Sequence, residues 1–230
     1  MIFRREDKVK EVVVRFPKAI DIFQKYKIDY CCGGHRTLSE VSTDQDIEIN
    51  QLLQDLDSYY SQIGNNKTDD WQNANYNDLV NHILQEHHAF LHTNLSIISD
   101  LAKTILRVHG ANHPELLELF QTFQSLKTEF EIHLIKEETL QYPAIENYLK
   151  SKSKNDLSKA ISVISELEKE HEVAGNLIKK INDLTNDYQT PKDGCETYHK
   201  TFNLLNELEK NTFMHIHLEN NILFPRLMNE

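Results

Sequence analysis

Apolar positions recur at helical spacing over most of the chain. A second long helix reads Leu119, Phe123, Leu126, Phe130, His133, Glu137 and Leu140, in alternating steps of four and three. A third reads Leu157, Ala160, Ile164, Leu167, His171, Ala174, Ile178 and Ile181, and a fourth reads Leu205, Leu208, Thr212, His215, Glu219 and Ile222. Such steps keep one side of a helix toward a common axis. The first long helix carries a stripe of Leu84, Leu91, Leu95, Ile98 and Ala102. The four helices are expected over residues 77–107, from Pro114 to beyond Leu140, over 156–187 and over 195–221. Turn-rich breaks at Gly110 to Pro114, Ser151 to Asn155 and Pro191 to Gly194 are short enough to join antiparallel neighbours. Each helix alone would leave an apolar stripe in water, so residues 75–230 predict an antiparallel four-helix bundle.

Residues 1–65 read as a separate small helical domain, which makes the whole chain all-α. Val12-Val13-Val14 is an extended piece or a helix start. Pro17 suits the first turn of a helix over Lys18 to Tyr26, with Ala19, Ile22 and Phe23 as its buried side. Cys31-Cys32-Gly33-Gly34-His35 is a loop, since paired glycines break regular structure. A short helix follows from Leu38, and another covers Ile47 to Tyr60. Gly64 to Asp70 is polar and reads as a linker.

Composition narrows the function. The 230 residues hold 25 Lys and Arg against 36 Asp and Glu, a net charge of −11. An acidic balance argues against nucleic-acid binding. No apolar run is long enough to span a membrane, and the charged start of the chain carries no apolar signal core. Charge reverses within the small domain: residues 1–36 carry a net +4 and residues 37–70 a net −7. The three cysteines include the adjacent pair Cys31 and Cys32, too close along the chain for an ordinary disulfide. A reducing cytoplasm is therefore expected.

Histidine is the unusual residue. There are 12, and 11 of them lie between His82 and His217. Three apolar seams are interrupted at one level by His, and twice by His with Glu four residues on. A carboxylate buried on a bundle axis demands a partner or a raised pKa. Two of them beside several imidazoles point to a metal site. The blocks His133-x3-Glu137 and His215-x3-Glu219 also repeat. Each has an apolar residue at +7, an aromatic at +9 and Pro at +10. His88 to His133 spans 45 residues and His171 to His215 spans 44, as two similar hairpins would give. That suits a site for two metal ions. On the first helix, periodicity slightly favours His87 and the hairpin spacing favours His88. The remaining reading is a metal-free helical interaction protein with polar core histidines.

The chain resembles the iron–sulfur cluster repair di-iron proteins, the YtfE/ScdA/RIC family. The N-terminal match runs through Tyr30-Cys31-Cys32-Gly33-Gly34, with Pro17 and Phe23 ahead of it. The C-terminal match is to the hemerythrin-like domain. It runs through His82 to His88, His133 to Glu137, Glu170-His171-Glu172 with Gly175, and His215 to Pro225. The resemblance implies a non-haem di-iron centre held by His88, His133, His171, His215, Glu137 and Glu219. In the family the carboxylates bridge the two irons, with an oxygen bridge between them and no haem. The pattern departs from the oxygen-carrying hemerythrins, which place a second His four residues after the first on helix three and an Asp on helix four. Here those positions hold Gly175 and Glu219. Fewer protein nitrogens suit reactive small molecules or iron movement better than reversible oxygen carriage.

Cys31 and Cys32 are the second functional candidates. Flanking glycines are expected to expose both sulfurs, and Lys27, His35 and Arg36 to lower a thiol pKa. They are expected to receive or pass iron or to do redox chemistry with nitric oxide or a partner; the alternative is a pair of inert packing residues. Cys195 reads as structural. His82, His92, His109, His113 and His199 read as solvent-facing or helix-capping residues. Glu166, Glu168, Glu170 and Glu172 read mostly as a solvated face, although Glu86, Glu170 and Tyr142 are candidates to hold the outer nitrogen of a ligand. Gly175 either lets helix three approach the cluster or is a small packing residue. The expected task is protection or repair of iron–sulfur proteins after nitric oxide or oxidative damage, by supplying iron; the alternative is reduction of nitric oxide at the metal pair. Expected partners are damaged or apo iron–sulfur proteins and small molecules such as nitric oxide or oxygen. The oligomeric state is open, with a homodimer one option.

Overall fold

A computed structural model describes residues 2–63 and 71–230; the expected linker at Gly64 to Asp70 lies outside the described residues. Among the described residues the fold is helical, with a single antiparallel bridge between Lys8 and Thr37 and no strand. No described helix is long and apolar enough to cross a membrane. Packing divides the chain into two units. One comprises residues 1–76 with 216–230, and the other comprises residues 77–215.

In the first unit, α1 (Val9–Arg15), α2 (Ala19–Lys25), α3 (Leu38–Asp44) and α4 (Ile49–Ile63) surround a small core. Val12 and Val13 are buried on α1, so the valine run is helical. On α2 the buried side is Ala19, Ile20 and Phe23, with Ile20 taking the place expected of Ile22. The start of α3 is fixed by a reciprocal cap, in which Thr37 and Glu40 each satisfy the other's backbone N–H. Phe3, Phe16 and Tyr60 form an aromatic cluster, with Phe16 and Tyr60 edge to face at 5.1 Å. The chain's last turns belong to this unit: the Arg226 guanidinium donates to the carbonyls of Trp71 and Ala74.

The second unit is built on α5 (Tyr76–His82), α6 (Ala89–His109), α7 (Glu115–Lys136), α8 (Tyr142–Ser151), α9 (Lys154–Ile161), α10 (Ile164–Leu184) and α11 (Glu196–Leu218); α12 (Phe224–Met228) ends the chain. The α7 helix packs against both α6 and α10. Their seams and that of α11 bury Leu95, Ile98, Leu119, Phe123, Leu126, Phe130, Ile178, Leu205 and Leu208 in one core.

The third long helix differs from its expected span. It breaks at Ser162 and Val163, where the Ser162 hydroxyl donates back to the Lys159 carbonyl. It ends at Leu184, where Thr185 donates to the Ile181 carbonyl and accepts from the Tyr188 N–H. Asn186, Asp187 and Tyr188 then adopt left-handed backbone. Asn and Asp tolerate this region well, and the Tyr188 hydroxyl is anchored on Glu209 at 2.7 Å.

Candidate metal centre

Three wide π turns interrupt the long helices: Ile83–His88, Glu137–Gln141 and Glu219–Leu223. One ends on a candidate ligand and two begin on one. A π turn inserts an extra residue and shifts the helical register, and such turns concentrate at functional sites. Two of them run into Pro143 and Pro225. A proline lacks the N–H an α-turn needs and crowds the carbonyl four residues back, so a wider turn ahead of it relieves both problems.

The shift corrects two expectations. On the first helix the buried line is Leu79, Ile83, His88, Leu91 and Leu95, while Leu84 is only partly buried. The five-residue step across the π turn brings His88 onto the seam. On the second helix Leu140 is 56% exposed and Gln141 and Tyr142 are buried.

The side chains converge on Glu137, which is completely buried. Its Oε1 lies 3.0 Å from His133 Nε2 and 3.8 Å from His171 Nε2. Its Oε2 lies 3.2 Å from His88 Nε2 and 3.5 Å from His215 Nε2. The imidazoles are themselves paired, with His133 and His171 Nε2 atoms 3.0 Å apart and those of His88 and His215 3.3 Å apart. One carboxylate oxygen thus faces each pair. His133, Glu137 and His215 each offer a ligand atom within 4.8 Å of the others. Glu219 is also fully buried, one turn beyond His215 on the same continuous helical run. Gly175 is buried on the α10 seam, one turn beyond His171.

Burial pushes the Glu137 carboxyl toward its neutral form, but the imidazoles of His133, His171 and His215 outweigh it and hold the group well below the usual carboxylate range. Burial opposes charge on His133, and Glu137 and Glu170 overcome it, raising its pKa. Both Glu137 oxygens are buried without hydrogen-bond geometry to any donor. Buried carboxylate and imidazole atoms converging within 4.8 Å make a donor set suited to a cation. Nitrogen and oxygen donors of this kind suit iron, so the residues fit the metal that the sequence implies.

The outer ring nitrogens of His133 and His88 are held as metal ligands need. His133 Nδ1 is 2.9 Å from Glu170 Oε2, and Glu170 is bound in turn by Lys136. Glu170 is therefore committed to His133 rather than lying on a solvated face. His88 Nδ1 is 2.8 Å from Glu138 Oε1, which also contacts His92. Glu138 was not expected here. The signal was its position one residue after Glu137, about 100° around the helix from it. Tyr142 approaches His88 at Nε2, 3.3 Å away, not at the outer nitrogen. The Glu86 side chain is exposed. His87 is buried, with its ring parallel to that of His215 at 5.9 Å, and burial pushes its pKa down to about 3.

In the first unit, the Cys31-Cys32 loop is less open than expected. Cys31 is 4% exposed and Cys32 half-buried. Asp29 organises the loop: its Oδ1 accepts from the backbone N–H groups of Cys31 and Cys32 and from the Cys31 thiol. The neighbouring Cys32 thiol, burial and Asp29 together push the Cys31 pKa well up, opposite to the expected effect of the nearby basic residues. The Cys31 thiol donates to the Cys32 sulfur at 3.9 Å, and the two form no disulfide. Gly34 is required by close approach, since a Cβ there would lie 2.6 Å from the Tyr30 carbonyl oxygen. That carbonyl also accepts from Asn221, which contacts His217.

Comparison with known proteins identifies both domains of the chain. Residues 78–227 match the hemerythrin HHE cation-binding domain, and residues 5–60 match ScdA_N, a domain of unknown function. The iron-sulfur cluster repair protein ScdA of Staphylococcus epidermidis is 31% identical over 224 residues, 97% of this chain and 98% of that one. A probable iron-sulfur cluster repair protein of Haemophilus influenzae is 30% identical, over 98% of both chains. The iron-sulfur cluster repair protein YtfE of Escherichia coli O157:H7 is 31% identical, over 97% of both. With an ScdA-type N-terminal domain, a hemerythrin-like cation-binding domain and relatives matched along nearly its whole length, the chain belongs to the ScdA/YtfE iron–sulfur cluster repair family.

Proposed function

We propose that this chain is a non-haem di-iron protein that repairs iron–sulfur clusters after nitrosative or oxidative damage by supplying iron. The observation that carries the reading is Glu137, whose two oxygens face two separate imidazole pairs. One pair with one oxygen suits one ion, so the carboxylate is arranged to bridge two. In this reading His133 and His171 hold one iron, His88 and His215 hold the other, and Glu219 is the second bridging carboxylate. An oxygen bridge completes the pair. Iron bound there supplies an exchangeable, redox-active metal. Glu138 and Glu170 fix the tautomers of His88 and His133 so that Nε2 faces inward. Four imidazoles and two carboxylates leave each ion short of full coordination, which favours exchange over tight storage. The named relatives act as repair proteins, and the same task in a reducing cytoplasm fits cysteines that form no disulfide.

Cys31 and Cys32 are assigned to iron hand-over. Their low exposure and the raised Cys31 pKa suit thiols that stay protonated until a metal or partner engages them. The test is transfer of iron from the loaded protein to an apo iron–sulfur protein, read by cluster absorbance. The wild type should rebuild the cluster, and Cys31→Ser with Cys32→Ser should slow transfer while keeping the iron content. Absence of transfer together with catalytic conversion of nitric oxide to nitrous oxide would replace this reading with a reductase.

A further inference from the structure

Cys195 stands apart from the metal centre in the sequence and has no role in it. It immediately precedes α11, a helix of 23 residues. The thiol is exposed, and its Sγ lies 3.2 Å from His109 Nε2 at the end of α6. His109 packs edge-on against Tyr198, at 5.3 Å. His113 packs beside both rings and is held by Glu115 and Asp193. This is a nucleophile with a base in hydrogen-bond reach, and the base is oriented by packing.

We propose that Cys195 is a modification site, a nucleophilic thiol paired with His109 that forms a mixed disulfide with low-molecular-weight disulfides. His109 takes the thiol proton. The Cys195 thiolate attacks one sulfur of the disulfide, a new S–S bond forms to Sγ, and the old S–S bond breaks. The departing thiolate takes up the proton that His109 held. One thiol and one disulfide thus give one mixed disulfide and one thiol, with no other oxidant.

Charge on the sulfur is supported from both sides. The hydrogen bond with His109, then the Tyr198 and Thr197 N–H groups, bring the Cys195 pKa down to about 7. Asp193 and Glu115 are the acidic groups of the cluster, and both are bound to His113. Cys31, by contrast, is buried with its pKa pushed up. The thiol reading of the sequence is therefore inverted: Cys195, read as structural, has the environment of a reactive thiol.

The test uses the full-length protein and two probes, oxidised glutathione and iodoacetamide, with the modified residue located by peptide mass mapping. Wild-type protein should form a mixed disulfide at Cys195, and the alkylation rate of that residue should inflect near pH 7. His109→Gln should move the inflection toward the ordinary thiol value and slow alkylation at pH 7 by about fivefold, the loss of thiolate that a rise of roughly one pKa unit from about 7 gives. Cys195→Ser should abolish the adduct. A conservative His109→Asn variant, with helicity checked by circular dichroism, separates loss of the base from loss of fold. Adducts confined to Cys32, or a Cys195 rate profile that is unchanged in folded His109 variants, would overturn the proposal.

Discussion

Glu137 Oε1 lies 3.0 Å from His133 Nε2, one turn apart on a single helix that widens into a π turn at Glu137 itself. The other oxygen, Oε2, is turned toward His88 and His215. A buried carboxylate among imidazoles is costly unless something uses its charge. Glu137→Gln keeps the shape and removes that charge. It should lose bound iron, measured per chain by elemental analysis, while helicity is unchanged. Full iron content in this variant would remove Glu137 from the site.

Glu138 and Glu170 hold the outer nitrogens of His88 and His133. Such partners typically matter by about 10–100-fold in metal affinity. Glu138→Gln and Glu170→Gln should each weaken binding by about that factor in a chelator competition. Glu86→Gln, at an exposed side chain, should leave affinity unchanged. Equal behaviour of all three variants would contradict the assignment.

Metal removal should destabilise without unfolding. The aliphatic core of Leu95, Ile98, Phe123, Leu126, Ile178 and Leu205 needs no metal. Apoprotein should therefore keep its helical circular dichroism. Its melting temperature should fall by the equivalent of about 2.7 kcal/mol relative to protein with free metal at about 100 times the dissociation constant. A melting temperature that does not respond to chelation would show that no metal is bound to the folded state.

The π turn after Lys136 has a mutational signature. Leu140 is outside the core, so Leu140→Ala should change stability by less than about 0.5 kcal/mol. Phe123→Ala, in the core of the same helical run, should cost about 3–5 kcal/mol. A large loss at Leu140, read from denaturant unfolding, would mean that the helix continues in regular α register.

Much of this was legible in the sequence because the signals were periodic. The seams marked the long helices of the bundle, and the repeated His-x3-Glu blocks picked out His133, Glu137, His215 and Glu219. What stayed hidden depended on register or on tertiary neighbours. Regular α periodicity cannot anticipate a π turn, so Leu84 and Leu140 were placed on seams they do not occupy. The prolines at 143 and 225 were the local hint. The break at Ser162 rests on one hydroxyl returning to the backbone, which competes weakly with helix and leaves little trace in a pattern. Asp29 is hidden in the sequence because basic residues crowd the cysteine loop, whereas in the fold its carboxylate turns back onto it. His109 and Cys195 are 86 residues apart, and only folding joins them.

The most direct test is iron content per chain in protein purified without oxygen from iron-replete cells. Two imidazole pairs about one carboxylate predict about two irons per chain, lost on Glu137→Gln. Fully helical protein with no iron, and none taken up on anaerobic reconstitution, would contradict the metal centre and leave a bundle with a polar core of histidines.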